Sequence, residues 1–163
     1  EAGGTHDRFR NRLMFPIYDI KGRITGFGAR ALDDSLPKYL NSPQTPIFDK
    51  SSSLYGINLA AAAIRQQNMV VMVEGYMDVI TAHQNGFNNV VAPMGTSVAE
   101  KQIAIIKRLT KNLALALDAD TAAANALKAA QELSTGVYAL ATTAIGQANI
   151  GLAQQVDLQE YAR

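Results

Sequence analysis

The spacing of apolar residues changes character along this 163-residue chain. Leu13 to Tyr18 and Ile24 to Leu32 are apolar, strand-like runs. They are joined by Asp19-Ile20-Lys21-Gly22-Arg23, whose Gly suits a short hairpin connection. Residues 33–58 lose the rhythm: Pro37, Pro43, Pro46, Gly56 and Ser51-Ser52-Ser53 punctuate them, which predicts a long irregular segment. That segment still holds Tyr39, Phe48 and Tyr55, and long loops of this kind are often functional. Leu59 to Gln67 predicts a short Ala-rich helix.

From residue 69 the pattern becomes strand–helix alternation. Met69 to Val73 is a continuous β-branched-rich run, the mark of a strand buried on both faces. A helix over 76–85, ended by Gly86, leads to a second strand from Asn89 to Met94. Thr96 or Ser97 is the expected cap of the next helix, with Glu100 completing a capping box before the stripe Ile103, Ile106, Leu109. Asn112 to Leu117 predicts a third strand, Ala122 to Leu133 an Ala-rich helix and 137–145 a fourth strand. Repeated β–α units imply a parallel sheet with right-handed crossovers.

Composition narrows the chemistry. The chain has no Cys, which excludes disulfides, Cys-ligated zinc and thiol catalysis, and only His6 and His83, which excludes a multi-histidine metal site. Its apolar runs fall far short of the ~20 residues that span a bilayer. No signal peptide opens it, and a start at Glu1 rather than Met leads to the expectation of an excised fragment. The net charge of +1 hides an asymmetry: residues 1–65 carry nine Lys/Arg against six acids, and the remainder six against eight. A basic half beside a mildly acidic half fits a polyanion-binding surface next to a cation site, although surface scatter gives the same arithmetic.

In an open parallel sheet, ligands bind beyond the carboxyl ends of the strands. Glu74 follows the first strand of the alternating region, and Asp118 and Asp120 follow the third. If those strands are neighbours, three carboxylates meet, with Asp78 one helical turn beyond Glu74. Clustered carboxylates repel and are seldom retained without a cation, and oxygen-only donors select a hard ion such as Mg²⁺. The bland alternative is that Asp118 and Asp120 cap the helix that follows. His83 has no partner in the sequence pattern and reads as structural. Gly26-Phe27-Gly28 looks like the start of a phosphate loop, but it sits in a hairpin strand, which defeats that reading.

Together these residues carry a resemblance. Glu74-Gly75-Tyr76-Met77-Asp78-Val79 resembles the first motif of the Toprim domain of bacterial DNA primases, and Asp118-Ala119-Asp120 resembles its Asp-x-Asp motif. Upstream, Arg8 to Ile17, Gly26-Phe27-Gly28-Ala29-Arg30, Pro37 to Pro43, Thr45-Pro46-Ile47-Phe48 and Leu54-Tyr55-Gly56 are similar to the basic subdomain of primase polymerase cores. Met94-Gly95-Thr96-Ser97 fits the segment after the second Toprim strand. The pattern departs where primases usually place Gly, Arg and Gly around the aspartates: here stand Ala119, Thr121 and Ala123. The family's later acidic segment is absent from 146–163, where only Asp157 and Glu160 are acidic.

The resemblance implies an α/β fold: a Toprim-type parallel sheet of about four strands flanked by helices, preceded by a partial α+β basic subdomain. The implied division is 1–65 for the basic subdomain, 66–150 for Toprim and 151–163 for a tail or the start of a helical segment. It implies a DNA-templated RNA polymerase that makes short primers by metal-dependent nucleotidyl transfer. Glu74, Asp118 and Asp120 would be catalytic, binding Mg²⁺ or Mn²⁺ with Asp78 as a fourth acid. Arg30, Lys38, Tyr39, Asn41, Lys50 and Tyr76 would contact template and nucleotide, although Lys50 also reads as a solvated loop charge and Tyr76 as helix packing. The implied partners are single-stranded DNA, ribonucleoside triphosphates, the RNA primer and a replicative helicase, with no membrane. Zinc and the helicase contact are expected only in domains outside this chain, and the expected location is the cytoplasm, at the replication fork. The alternatives are a non-polymerising Toprim protein that binds nucleic acid or nucleotide, and a Toprim nuclease or topoisomerase relative.

Overall fold

The computed structural model describes residues 6–95, 98–117 and, as backbone, 118 and 136–142. Two sheets organise them. The first is an antiparallel sheet of β1 (Arg12–Tyr18), β2 (Ile24–Ala31) and β3 (Tyr39–Asn41), in that order. Its hairpin turns as the sequence requires: Gly22 takes φ +79°, and the Asp19 carboxylate accepts from the Lys21 and Arg23 N–H groups at 2.9 Å each.

The second sheet has five strands in the order β4 (Leu54–Tyr55), β6 (Val90–Pro93), β5 (Val70–Met72), β7 (Asn112–Asp118) and β8 (Gly136–Thr142). Four run parallel and β4 pairs antiparallel with β6 at one edge. Alternation sends Val70 and Met72 into a core with α1 (Ile57–Gln67) and α3 (Glu100–Lys107), through Ile57, Ile64, Ile103 and Ile106. Val71 and Val73 face the other way, with Val79 and Ala82 of α2 (Tyr76–Gln84). Helices therefore cover both faces, which explains the unbroken apolar strands. Fully buried residues such as Ile64 and Met72 each contribute about 1.5–3 kcal/mol.

Two expectations are corrected. Residues 33–58 are not devoid of regular structure: they hold β3, β4 and a single 3₁₀ turn over Lys50–Ser52. Strands of two or three residues are too short to display an alternation. The start of α3 is the other: its N-cap is Ala99. Helix α3 starts at Glu100 after an extended Ala99, and the Gln102 carboxamide accepts the Ala99 N–H at 2.9 Å. Thr96, Ser97 and the expected helix from Ala122 to Leu133 lie outside the described residues.

No helix among the described residues is long and apolar enough to cross a membrane.

Candidate functional site

The antiparallel sheet turns one face to the second sheet, and its register decides which residues lie there. Phe15 pairs with Gly28 and Ile17 with Gly26, and on the other side Gly28 pairs with Asn41 and Arg30 with Tyr39. Directly paired residues share a face, so Phe15, Ile17, Gly26, Gly28, Arg30, Tyr39 and Asn41 look the same way. Buried Phe15 and Ile17 form a cluster with Phe48, Tyr76 and Met94. The two glycines make room for it. A Cβ at Gly26 would lie 2.9 Å from the Phe48 ring, and one at Gly28 would lie 2.7 Å from the Tyr76 hydroxyl.

Tyr76 begins α2, two residues after Glu74, and is only 8% exposed. Its ring centroid lies 4.9 Å from Tyr55, 5.4 Å from Phe15 and 6.1 Å from Tyr39. Its hydroxyl donates to Asn41 Oδ1, across the two sheets. Burial, ahead of every other influence, pushes the phenol up to about 12. A raised pKa stabilises the fold below the unfolded value of 10.0, and that contribution is lost as pH rises through the folded value of about 12. Between those limits the wild type is therefore expected to lose more denaturation free energy than Tyr76→Phe, measured by urea titration at stepped pH. Parallel losses in the two proteins contradict the assignment.

Beside Tyr76 opens a cleft of about 630 Å³, lined by Tyr39, Asn41 and Lys50 from upstream and by Glu74, Tyr76 and Asp78 from the turn after β5 and the start of α2. Six of the sequence-predicted residues thus share one wall or the other. Arg30 sits on the cleft-facing side of β2 but is not part of the lining, and Lys38, which precedes β3, is not part of it either. Asp78 has a structural duty: its carboxylate accepts the Gly75 N–H at 3.1 Å, closing the start of α2. Lys50 stands on the 3₁₀ turn, whose N-cap Asp49 accepts from the Ser51 hydroxyl at 2.7 Å and from Lys101 at 3.0 Å. The Ser51 hydrogen bond, followed by Lys101, holds the Asp49 carboxyl down at about 2.

The acids follow from strand order. β5 and β7 are parallel neighbours with Met72 opposite Leu115. Continuing the register puts Glu74 opposite Leu117, one residue short of Asp118 at the end of β7, across a strand spacing of about 4.8 Å. Glu74 is exposed at the mouth of the cleft. Asp120 lies outside the described residues, and among those described no three metal-ligating side chains cluster. The donor types would suit a hard divalent ion: Glu74 follows β5 and Asp118 ends its parallel neighbour β7, while His83 is engaged elsewhere, its Nε2 2.9 Å from the Val90 carbonyl.

Residues 1–61 match the family model for the DNA primase catalytic core, N-terminal domain, and residues 71–161 match the Toprim-like model. The chain belongs to the DNA primase family. It is 51% identical over 117 residues to a DNA primase of Clostridium acetobutylicum, covering 72% of the chain and 20% of that relative. A DNA primase domain from Pseudomonas aeruginosa superposes with TM-score 0.80 at 43% identity, covering 88% of the chain and 47% of that structure. A primase catalytic domain solved bound to single-stranded DNA gives TM-score 0.69 at 45% identity, covering 76% and 39%. The chain thus spans about a fifth of the length of the curated primases it matches.

Primase-family membership accounts for the α/β fold, but not for every residue that builds this cleft. Met94 and Gly95 line it, and neither was singled out as functional from the sequence. The Gly-x-Gly of β2 was the available signal: two glycines facing one way in an apolar strand mark a close approach.

Proposed function

We propose that this chain is the nucleotidyl-transfer centre of a DNA primase, a DNA-templated RNA polymerase that makes short RNA primers. The observation that carries the reading is the meeting of Glu74, from the end of β5, with Lys50, Tyr39 and Asn41 in one cleft, beside the neighbouring strand that ends in Asp118. In this reading Glu74, Asp118 and Asp120 hold Mg²⁺ or Mn²⁺, with Asp78 an outer acid. A bound divalent ion supplies charge neutralisation for the attacking 3′-oxygen and the leaving pyrophosphate.

The chain's own residues bind and orient. Lys50 and Arg30 neutralise phosphates of template or triphosphate, and Tyr39, 44% exposed, presents a ring on which a base stacks. The Tyr76–Asn41 bond fixes the spacing between the basic wall and Glu74. Phosphoryl transfer needs little beyond such positioning and charge, so no general base is required. Lys38, which precedes β3, contacts template on its way to the cleft.

Residues 1–65 then form the basic wall, 66–150 the acidic one, and 151–163 begin the following segment. This division is one of charge rather than packing, since β4 and most of α1 lie upstream of 66 yet pack with the five-stranded sheet. The substrates are ribonucleoside triphosphates and single-stranded DNA, at the replication fork in the cytoplasm. A zinc-binding domain and a helicase contact belong to other parts of the longer protein.

The test is binding of a fluorescent single-stranded oligonucleotide against salt. Lys50→Ala and Arg30→Ala are each expected to weaken binding and to lower the slope of log affinity on log salt by about 0.7, the value for one single-strand phosphate contact. Unchanged slopes in both variants contradict the groove.

A further inference from the structure

Gln102 lies outside the cleft, yet it controls the segment that carries Lys50. It is 1% exposed, the most deeply buried polar side chain among the described residues. All its groups are engaged. Oε1 accepts from the Ala99 N–H at 2.9 Å, and Nε2 donates to the Lys50 and Ser53 carbonyls at 2.9 Å each, across 52 and 49 positions of sequence. Those carbonyls bracket the 3₁₀ turn over Lys50–Ser52. Within the turn, the Asp49 carboxylate accepts from Ser51 and the Asp49 carbonyl from the Ser52 and Ser53 hydroxyls, but these bonds are local and do not place the turn against the rest of the fold. Its position is set from outside: by Gln102 beneath it and by the Lys101–Asp49 pair at its start.

We propose that Gln102 is a positioning residue, which sets Lys50 against phosphate in the cleft by gripping the backbone of the turn that bears it. This rests on the reading of Lys50 as a phosphate-binding cation. Gln102→Glu keeps an acceptor for the Ala99 N–H and withdraws the amide's pair of donors: a carboxylate offers none to the two loop carbonyls and its protonated form at most one.

The experiment is steady-state priming by the full-length primase carrying this segment, in a cycle of Lys50→Met, Gln102→Glu and the double variant. Lys50→Met is expected to raise the nucleotide KM about tenfold, the scale of one charge-assisted contact. Gln102→Glu is expected to raise the same KM comparably, with kcat changed less than about twofold and the double variant no worse than Lys50→Met. Multiplicative losses, or a fall in kcat at unchanged KM, overturn the proposal, since a merely structural lesion removes active enzyme without shifting KM. An unchanged KM in Lys50→Met overturns the phosphate role of Lys50 and this inference with it, a result distinct from multiplicative losses. Should Gln102→Glu fail to fold by circular dichroism, Lys101→Ala releases the exposed end of the turn and is read in the same cycle. There, too, multiplicative losses overturn the proposal.

Discussion

Glu74→Gln and Asp118→Asn are each expected to abolish primer synthesis while leaving the fold intact. Each keeps the side-chain shape and removes the charge that would hold a cation at the ends of β5 and β7. Divalent ions contribute several kcal/mol to phosphoryl transfer, so the rate should fall about a thousandfold or more. Stability should move the other way, because relieving repulsion between carboxylates at neighbouring strand ends favours the metal-free fold. The competing view, that Asp118 only caps the following helix, makes the opposite forecast. Asn caps a helix nearly as well as Asp, so capping alone predicts near-normal activity. Primer yield is measured in the full-length protein at ordinary Mg²⁺, beside thermal unfolding of the same variants. Wild-type yield from Asp118→Asn contradicts the metal role.

Gly28→Ala should be the most damaging small change outside the acids. Its Cβ would stand 2.7–2.8 Å from Oη, Cε2 and Cζ of Tyr76. The Tyr76 ring cannot swing aside, being packed against Phe15 and Tyr55 and tied to Asn41. Overpacking of this kind costs about 1–3 kcal/mol. At roughly 2–4 °C per kcal/mol for a chain of this size, the melting temperature should drop by several degrees. The clash is specific to one partner, so in a Tyr76→Leu background the same substitution should cost much less. Equal costs in the two backgrounds would show that Tyr76 is not what Gly28 accommodates.

Much of this was legible in the sequence because it rests on period and strand position. The β-branched run at Met69–Val73 announced a strand covered on both faces, and α1 and α3 cover one face of β5 while α2 covers the other. The placement of Glu74 after one strand and Asp118 after another needed only the rule that ligands sit at carboxyl ends. What the sequence hid was long-range and local at once. β3 and β4 are too short to show alternation, so the segment that brings Tyr39, Asn41 and Lys50 to the cleft read as mere loop. Nothing in the local pattern marks Gln102, because its partners are backbone carbonyls about fifty residues away. Lys38 and Arg30 were grouped with their neighbours by motif, and neither is among the residues that line the cleft.

If the strand-end acids form a divalent-metal centre facing the basic wall, manganese binds between them. The most direct measurement is the anomalous difference map of a crystal of this chain soaked in Mn²⁺. The account predicts a peak bonded to carboxylate oxygens of Glu74 and Asp118, with Asp120 in the same shell. Manganese bound only elsewhere, with Glu74 in contact with no peak, would contradict it.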